Sequence, residues 1–299
     1  MAPAVLHAAL APNWNRWREK LYDEGMKLRQ ADDEAIETQS TQEHSPAVSG
    51  PKLKTGWAGA AEIPSEQSSS AYVKPGFDWK AADAYLFDID GTLLNSRDAV
   101  HYYAFHHAVE QVFGLDFRID GVPVHGNTDV GILRAYLEVA GVPESQWRPK
   151  LPDVLRIMSE EVERNAADLR PELCPSIREL VELLSAEGKL VGVASGNLEP
   201  VGWAKLRACS LRDYFSFGAF SGEREKRDDI IAFGVQKARE LQGSQANVYV
   251  VGDTPADIRS AHANHIQAIA VATGIYSFEE LLAHAPEMCI SCCRDLMQS

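Results

Sequence analysis

The 299-residue sequence predicts an α/β fold: a doubly wound parallel sheet with an inserted helical domain and an N-terminal extension. Three observations carry that expectation. Four short apolar runs each close on a polar or glycine position, and they have the unbroken hydrophobic character of strands covered on both faces. Helical stretches separate most of them, in the alternation that parallel strands require. Hydrophobic residues make up 45 % of the chain and charged residues 24 %, which supplies a core and excludes a wholly disordered chain, a collagen-like fibre or a small disulfide scaffold.

Along the chain, residues 1–80 stand apart as an N-terminal extension. Asn13–Glu37 reads as one helix, with Trp17, Leu21 and Met26 or Leu28 near helical spacing. Gln39–Tyr72 is rich in Ser, Pro, Gly, Ala and Gln and reads as a linker-like arm. Trp14, Trp17, Trp57 and Trp79 fall in this extension, and a concentration of tryptophan there implies that the arm docks on a surface. The first strand is Ala84–Phe87, ending at Asp88. Roughly a hundred residues then intervene before the next strand, far more than one crossover needs. Most of them read as helix, at Asp98–Phe113, Asp129–Ala140 and Pro152–Asp168, so residues 96–171 form a helical domain and residues 81–95 and 172–299 form the core. The core continues with strands at Lys189–Ala194, Asn247–Val251 and Gln267–Val271, which end at Ser195, at Gly252-Asp253 and near Thr273-Gly274. Helices fall at Pro175–Glu187, Pro200–Cys209, Asp228–Gln242 and Asp257–Asn264, and Met288–Ser291 reads as a short last strand whose thiols serve as small apolar residues.

Twenty-nine basic residues against 43 acidic ones give a net charge of −14, which repels nucleic acid and anionic lipid and removes both from the expected partners. No apolar run approaches the ~18 residues of a membrane span. The apolar start Met1–Leu10 has no basic residue before it, so it does not read as a secretory signal. Five cysteines, an odd number, suit a reducing compartment, and the cytoplasm is the expected location. Cys289, Cys292 and Cys293 have C-x-x-C spacing without a second pair, so no zinc site is expected. His101, His106 and His107 on the first inserted helix, and His262 with His265, read as surface or packing residues.

Ligands of an open parallel sheet bind beyond the carboxyl ends of its strands. The polar residues at those ends are Asp88, Asp90, Ser195, Asn197, Asp253 and Asp257. Four carboxylates at one edge repel one another unless a cation sits among them, and Mg²⁺ suits an all-oxygen donor set. Asp88 and Asp90 are two apart, so both can reach one cavity, and Gly91 lets the chain turn away after them.

The run Asp88-Ile89-Asp90-Gly91-Thr92 after an apolar strand resembles the signature of the haloacid dehalogenase-like (HAD) hydrolases. The resemblance implies a Rossmann-like core in which Asp88 attacks phosphorus and forms an aspartyl-phosphate. Asp90 would protonate the leaving oxygen and then activate water. Val191–Asn197 is similar to the second motif of that family, which implies that Ser195 hydrogen-bonds the phosphoryl group, with Gly196 and Asn197 beside the substrate. Val251–Asp257 is similar to the fourth motif, which implies Mg²⁺ held by Asp88, the main-chain carbonyl of Asp90, and Asp253, with Asp257 behind them or bound through water. The third motif calls for a basic residue near the start of the helix before Asp253. Here the Lys-Pro of many members is absent, and Arg227 is the first candidate, followed by Lys226 and Lys205. The helical domain falls where the family places its C1 cap, with Thr128 in a loop, His125–Asp129, that resembles the cap loop facing the substrate. The segment Ser195-Gly196-Asn197 and Thr273–Tyr276 are most like the phosphoglycolate-phosphatase-type branch, and the resemblance extends over Ala84–Leu296. It implies a Mg²⁺-dependent phosphatase acting on a small phosphorylated metabolite, with 2-phosphoglycolate the first substrate to consider. A sugar phosphomutase and a catalytically inactive binding protein on the same scaffold are the alternatives.

Overall fold

The structure, a computed structural model, describes residues 71–298. The helix read at Asn13–Glu37 and all but the end of the linker-like arm lie outside them. No helix among the described residues is long and apolar enough to cross a membrane.

The main sheet has seven strands: β1 (Ala71–Val73), β2 (Ala84–Phe87), β5 (Leu190–Leu198), β6 (Phe217–Ser221), β7 (Val248–Gly252), β8 (Gln267–Val271) and β9 (Met288–Ile290). A separate two-stranded antiparallel ribbon pairs β3 (Leu94–Ser96) with β4 (Pro171–Leu173). The order in the main sheet is β1-β9-β8-β7-β2-β5-β6, parallel throughout except for the antiparallel edge pair β1–β9. The four central runs are apolar at nearly every position because alternate side chains enter different cores. Tyr85 and Phe87 of β2 join one cluster with Val191, Val193, Tyr249 and Val251, while Ala84 and Leu86 join the other with Val248, Val250, Ala268 and Ala270.

Helices cover both faces. On the first lie α5 (Ile177–Ala186), part of α6 (Glu199–Ala208) and the terminal α10 (Cys293–Gln298). On the second lie α7 (Arg227–Gln242), α8 (Pro255–Ala263) and α9 (Phe278–Leu282). Between β3 and β4 the chain leaves the sheet for α1 (Val100–Phe113), α2 (Asp129–Val139), α3 (Glu144–Trp147) and α4 (Leu151–Arg164). These helices enclose their own apolar cluster around Phe105, Phe117, Leu133, Trp147 and Met158, and α6 adds Val201 and Ala204 to it. One face of α6 therefore belongs to the helical insert and another to the core.

Two differences from the sequence reading matter for the site. β5 continues past Ser195 to Leu198, with a register shift between those residues, so Gly196 and Asn197 lie within an irregular strand end and not beyond it. β1, within the stretch read as extension, and β6, within a stretch read as neither helix nor strand, are the two edges of the sheet. Strand lengths and register then align the functional ends. Phe87 is level with both Val193 and Val251, which brings Asp88, Ser195 and Asp253 to the same rim.

Candidate active site

The turn after β2 is tight because Ile89 O accepts from the backbone N–H groups of Thr92, Leu93 and Leu94. Gly91 is needed there on two counts. Its φ is +87°, and a Cβ would lie 2.2 Å from Asp253 Oδ2. From the other side a Cβ on Gly274 would lie 1.8 Å from the same oxygen. Asp253 is thus seated in a slot between two glycines, and Thr92 Oγ1 donates to its Oδ1 at 3.0 Å. Asp257 arrives by helix capping. Thr254 caps α8, Pro255 stands in its first turn, and Asp257 at the third position completes a capping box by accepting from Thr254 N and Oγ1.

Asp88, Asp253 and Asp257 are all buried, and one oxygen of each lies within 4.8 Å of the others. Arg227, at the first position of α7, is 8 % exposed and donates from Nη2 to Asp88 Oδ1 at 2.9 Å and to Asp257 Oδ1. Asp90 turns its carboxylate elsewhere. Lys205 Nζ donates to both of its oxygens at 2.8 Å, and Asn197 Nδ2 donates to Oδ2 at 2.7 Å. Asn197 Nδ2 also donates to Ser195 Oγ at 2.8 Å, which links the end of β5 to the Asp90 side.

Electrostatics separate the two aspartates of the first motif. Burial pushes Asp88 up to about 6; Arg227 opposes the rise, and Asp257 and Asp90 add to it. Asp253 is raised well above the carboxylate range by burial and by the charges of Asp88 and Asp257. Asp90 moves the other way: desolvation works to raise it, but the charge and hydrogen bond of Lys205, with Asn197, outweigh that and hold it low. Arg227 is held charged more firmly than an ordinary arginine, because Asp257 and Asp88 overcome the cost of its burial. Four aspartates against Lys205 and Arg227 leave two uncompensated negative charges at one rim. A buried, all-oxygen group of that charge fits a hard divalent cation, held by Asp88 and Asp253 with Asp257 beside them.

The helical insert lies directly on this rim. A Cβ at Gly196 would meet Asn127 O at 2.3 Å, and one at Gly126 would meet Thr254 Oγ1 at 2.9 Å. Thr128 caps α2 by accepting from Gly131 N, and its hydroxyl donates to Glu225 O at 2.7 Å, two residues before Arg227. Glu225 is in turn gripped by Arg148, with Arg134 at 3.9 Å. A cleft of about 690 Å³ flanks the junction between α4, α6 and β6, but it contains none of the four aspartates.

The structure places Asp88, Asp90, Ser195, Gly196, Asn197, Arg227 and Asp253 at the rim and Thr128 above it. Of the three basic candidates, Arg227 touches Asp88 and Lys205 touches Asp90. Lys226 stands at the N-cap of α7 with no ion pair to these aspartates among the described residues. One participant was missed. His101 is buried, with Nδ1 3.3 Å from Lys205 Nζ and Nε2 3.2 Å from Asp129 Oδ2. The available signal was its place at the i, i+4, i+7 stripe shared with Phe105 and Ala108, a polar ring on the buried face of α1.

The model of the family described as haloacid dehalogenase-like hydrolase matches residues 85–271. The chain belongs to that family. A phosphoglycolate phosphatase of Synechococcus elongatus is 29 % identical over 224 residues, spanning 72 % of this chain and 96 % of the relative. Among solved structures, CbbY from Rhodobacter sphaeroides in complex with phosphate aligns over 66 % of this chain and 89 % of its own, with a TM-score of 0.50 and 19 % identity, a likeness of fold alone. Most of the rim lies within the matched span, from Asp88 to Asp257.

Proposed function

We propose that this HAD hydrolase is a Mg²⁺-dependent phosphatase that cleaves a small phosphomonoester through an aspartyl-phosphate on Asp88. The observation that carries the reading is the division of labour at the end of β2. Asp88 faces Arg227 and the carboxylate group, whereas Asp90 faces Lys205 and Asn197, so two carboxylates two residues apart have separate partners and opposite shifts.

A carboxylate oxygen of Asp88 attacks phosphorus, and the bond to the leaving oxygen breaks in line with the attack. Arg227 takes up charge that builds on the phosphoryl oxygens, and Ser195 Oγ donates to one of them. Asp90 gives its proton to the leaving alkoxide. A monoester bound as its monoanion brings that proton with it, since the second phosphate ionisation lies near ~6. Water then attacks phosphorus, the bond to Asp88 breaks, and the water proton passes to Asp90, whose depressed pKa keeps it ready as the base. Bound Mg²⁺ would hold Asp88 ionised and neutralise charge on the phosphoryl group. The helical insert acts as the cap. Its loop lies on Gly196 and Thr254, and the antiparallel β3–β4 pair at its base is the hinge about which it lifts to admit substrate. Enclosure by a cap supports a small metabolite, and the Synechococcus relative makes 2-phosphoglycolate the first to test.

A panel of phosphorylated metabolites, assayed for inorganic phosphate with and without Mg²⁺, tests the reading. Turnover is expected only with the metal, and best with a small monoester. Return of the phosphoryl group to a second sugar hydroxyl would make the protein a phosphomutase, and no turnover of any member would leave it a binding protein.

Metal binding also has a readout in stability. Asp88, whose folded-state pKa is raised from 3.8 to about 6, contributes stability that is present below the lower value and lost as pH rises through the higher one. Asp253 shifts in the same direction. The metal-free protein is thus penalised at neutral pH by the charges that Mg²⁺ neutralises. The gain in Tm on adding Mg²⁺ should be several degrees at about pH 7.5 and shrink towards zero at about pH 5, where protons compete. Equal gains at both pH values would contradict this placement of the metal.

A further inference from the structure

The cleft beside the insert shares no residue with the aspartate rim, and the phosphatase reading gives it nothing to do. Its volume, about 690 Å³, suits a small molecule. One wall is α4 of the insert, with Leu155 and Arg156. The other is core, from Leu198 across Phe217 of β6 to Phe233 of α7. β6 is the last strand on its side of the sheet, so alternate backbone N–H groups along its outer edge have no strand partner. Ser221 ends that strand at the cleft wall. It is 8 % exposed, and its Oγ is buried without a hydrogen-bond partner among the described residues. Buried hydroxyls are nearly always bonded, so this wall holds a polar group still to be met.

Charge narrows what fits. In a chain of net charge −14, the cleft gathers Arg156, Arg224 and Lys237 against Glu199 and Glu223. Glu199 is engaged, accepting from Trp203 Nε1 at 3.1 Å. Arg156 and Lys237 each have a carboxylate partner on their own helix, Glu160 and Glu240, at 2.8 Å. Arg224 makes no ion pair among the described residues, and its guanidinium carbon lies 3.5 Å from the centroid of the Phe233 ring. Stacking fixes the guanidinium plane and leaves its fork of N–H donors open, the arrangement that receives a planar or tetrahedral oxyanion. Around it, Leu155, Leu198 and Phe217 offer apolar surface that suits a flat ring and leaves a polyhydroxylated body without partners. We propose that this cleft is a second ligand site, separate from the aspartate rim, for a small aromatic anion. Its charged group lies on Arg224 and its ring against the apolar side chains of β6 and α4. An occupant touches insert and core at once and stabilises the folded chain.

2-Naphthoate carries the charge and the ring and has no phosphate to lose, and 2-naphthamide is its uncharged counterpart. Titrated calorimetrically into the full-length protein, 2-naphthoate should bind at one site and raise Tm. The amide should bind about 10-fold more weakly or worse, since it lacks the charge that Arg224 receives. Arg224→Ala should raise the Kd for 2-naphthoate by about 10-fold or more, and Arg224→Gln carries the comparison if the alanine variant does not fold. Phe233→Leu keeps the apolar bulk but removes the platform under the guanidinium, and should weaken binding by about 3-fold or more. The Kd should agree within about 2-fold in Mg²⁺ and in chelator, because the cleft and the aspartate group have no residue in common. No binding of 2-naphthoate, equal affinity for the amide, an unchanged Kd in the Arg224 variants, or binding that requires Mg²⁺ would each overturn the proposal. None of these readouts needs turnover, so an absence of phosphatase activity would leave the second site standing.

Discussion

Asp88→Asn should abolish phosphate release, by about 10⁴-fold or more, without unfolding the protein. The amide is nearly isosteric and can accept from Arg227, but it cannot form an acyl phosphate. Its effect on stability should have the opposite sign to its effect on rate. Asp88 is raised to about 6 because the folded protein resists its charge. Removing that charge near neutral pH relieves repulsion from Asp257 and Asp253, so the metal-free variant should melt at or above the temperature of the metal-free wild type. The Tm gain from Mg²⁺ should shrink, since one of the oxygen donors has lost its charge. Retained turnover by this variant would remove Asp88 from the chemistry.

Arg227→Ala should be costly in both rate and stability. The guanidinium is buried between Asp88 and Asp257, and without it Lys205 alone faces four aspartates. Breaking a buried ion pair from one side costs about 3–5 kcal/mol, because the partner stays behind uncompensated. Loss of a donor aimed at the developing charge should lower kcat about 10²- to 10³-fold. Arg227→Lys should recover more stability than rate, since an ammonium restores the charge but not the reach of the guanidinium or its additional N–H donors. Urea unfolding in metal-free buffer, with kcat on the best substrate, checks both. A wild-type kcat in Arg227→Ala would shift the third-motif role to Lys205 or Lys226.

The parts of the fold that could be read from sequence are those whose physics is local. β2, β5, β7 and β8 are covered on both faces and so appear as unbroken apolar runs, and the polar residues that end them mark the rim. The edges lack that signal. β1 is three exposed residues, and β6 contains Gly218, where a Cβ would lie 2.2 Å from the Phe220 ring and 2.7 Å from Trp203, a packing demand that reads as a turn in sequence. The same limit applies at the site. The aspartates announce themselves through motif spacing and strand ends. The division of the two cations does not, because Lys205 reaches Asp90 across 115 positions and His101 reaches Lys205 across 104. A histidine on an apolar helix stripe is ordinary packing until the fold brings a buried ammonium to its Nδ1.

The central claim is that Asp88 carries the phosphoryl group. Asp90→Asn slows hydrolysis of the acyl phosphate while an activated aryl phosphate can still load the nucleophile. Incubated with such an ester and Mg²⁺, quenched in acid and digested, this variant should yield the peptide containing Asp88 heavier by one phosphoryl group, and Asp88→Asn should yield none. A phosphoryl group on any other residue, or steady turnover by the wild-type protein with no label on Asp88 in this experiment, would contradict the account.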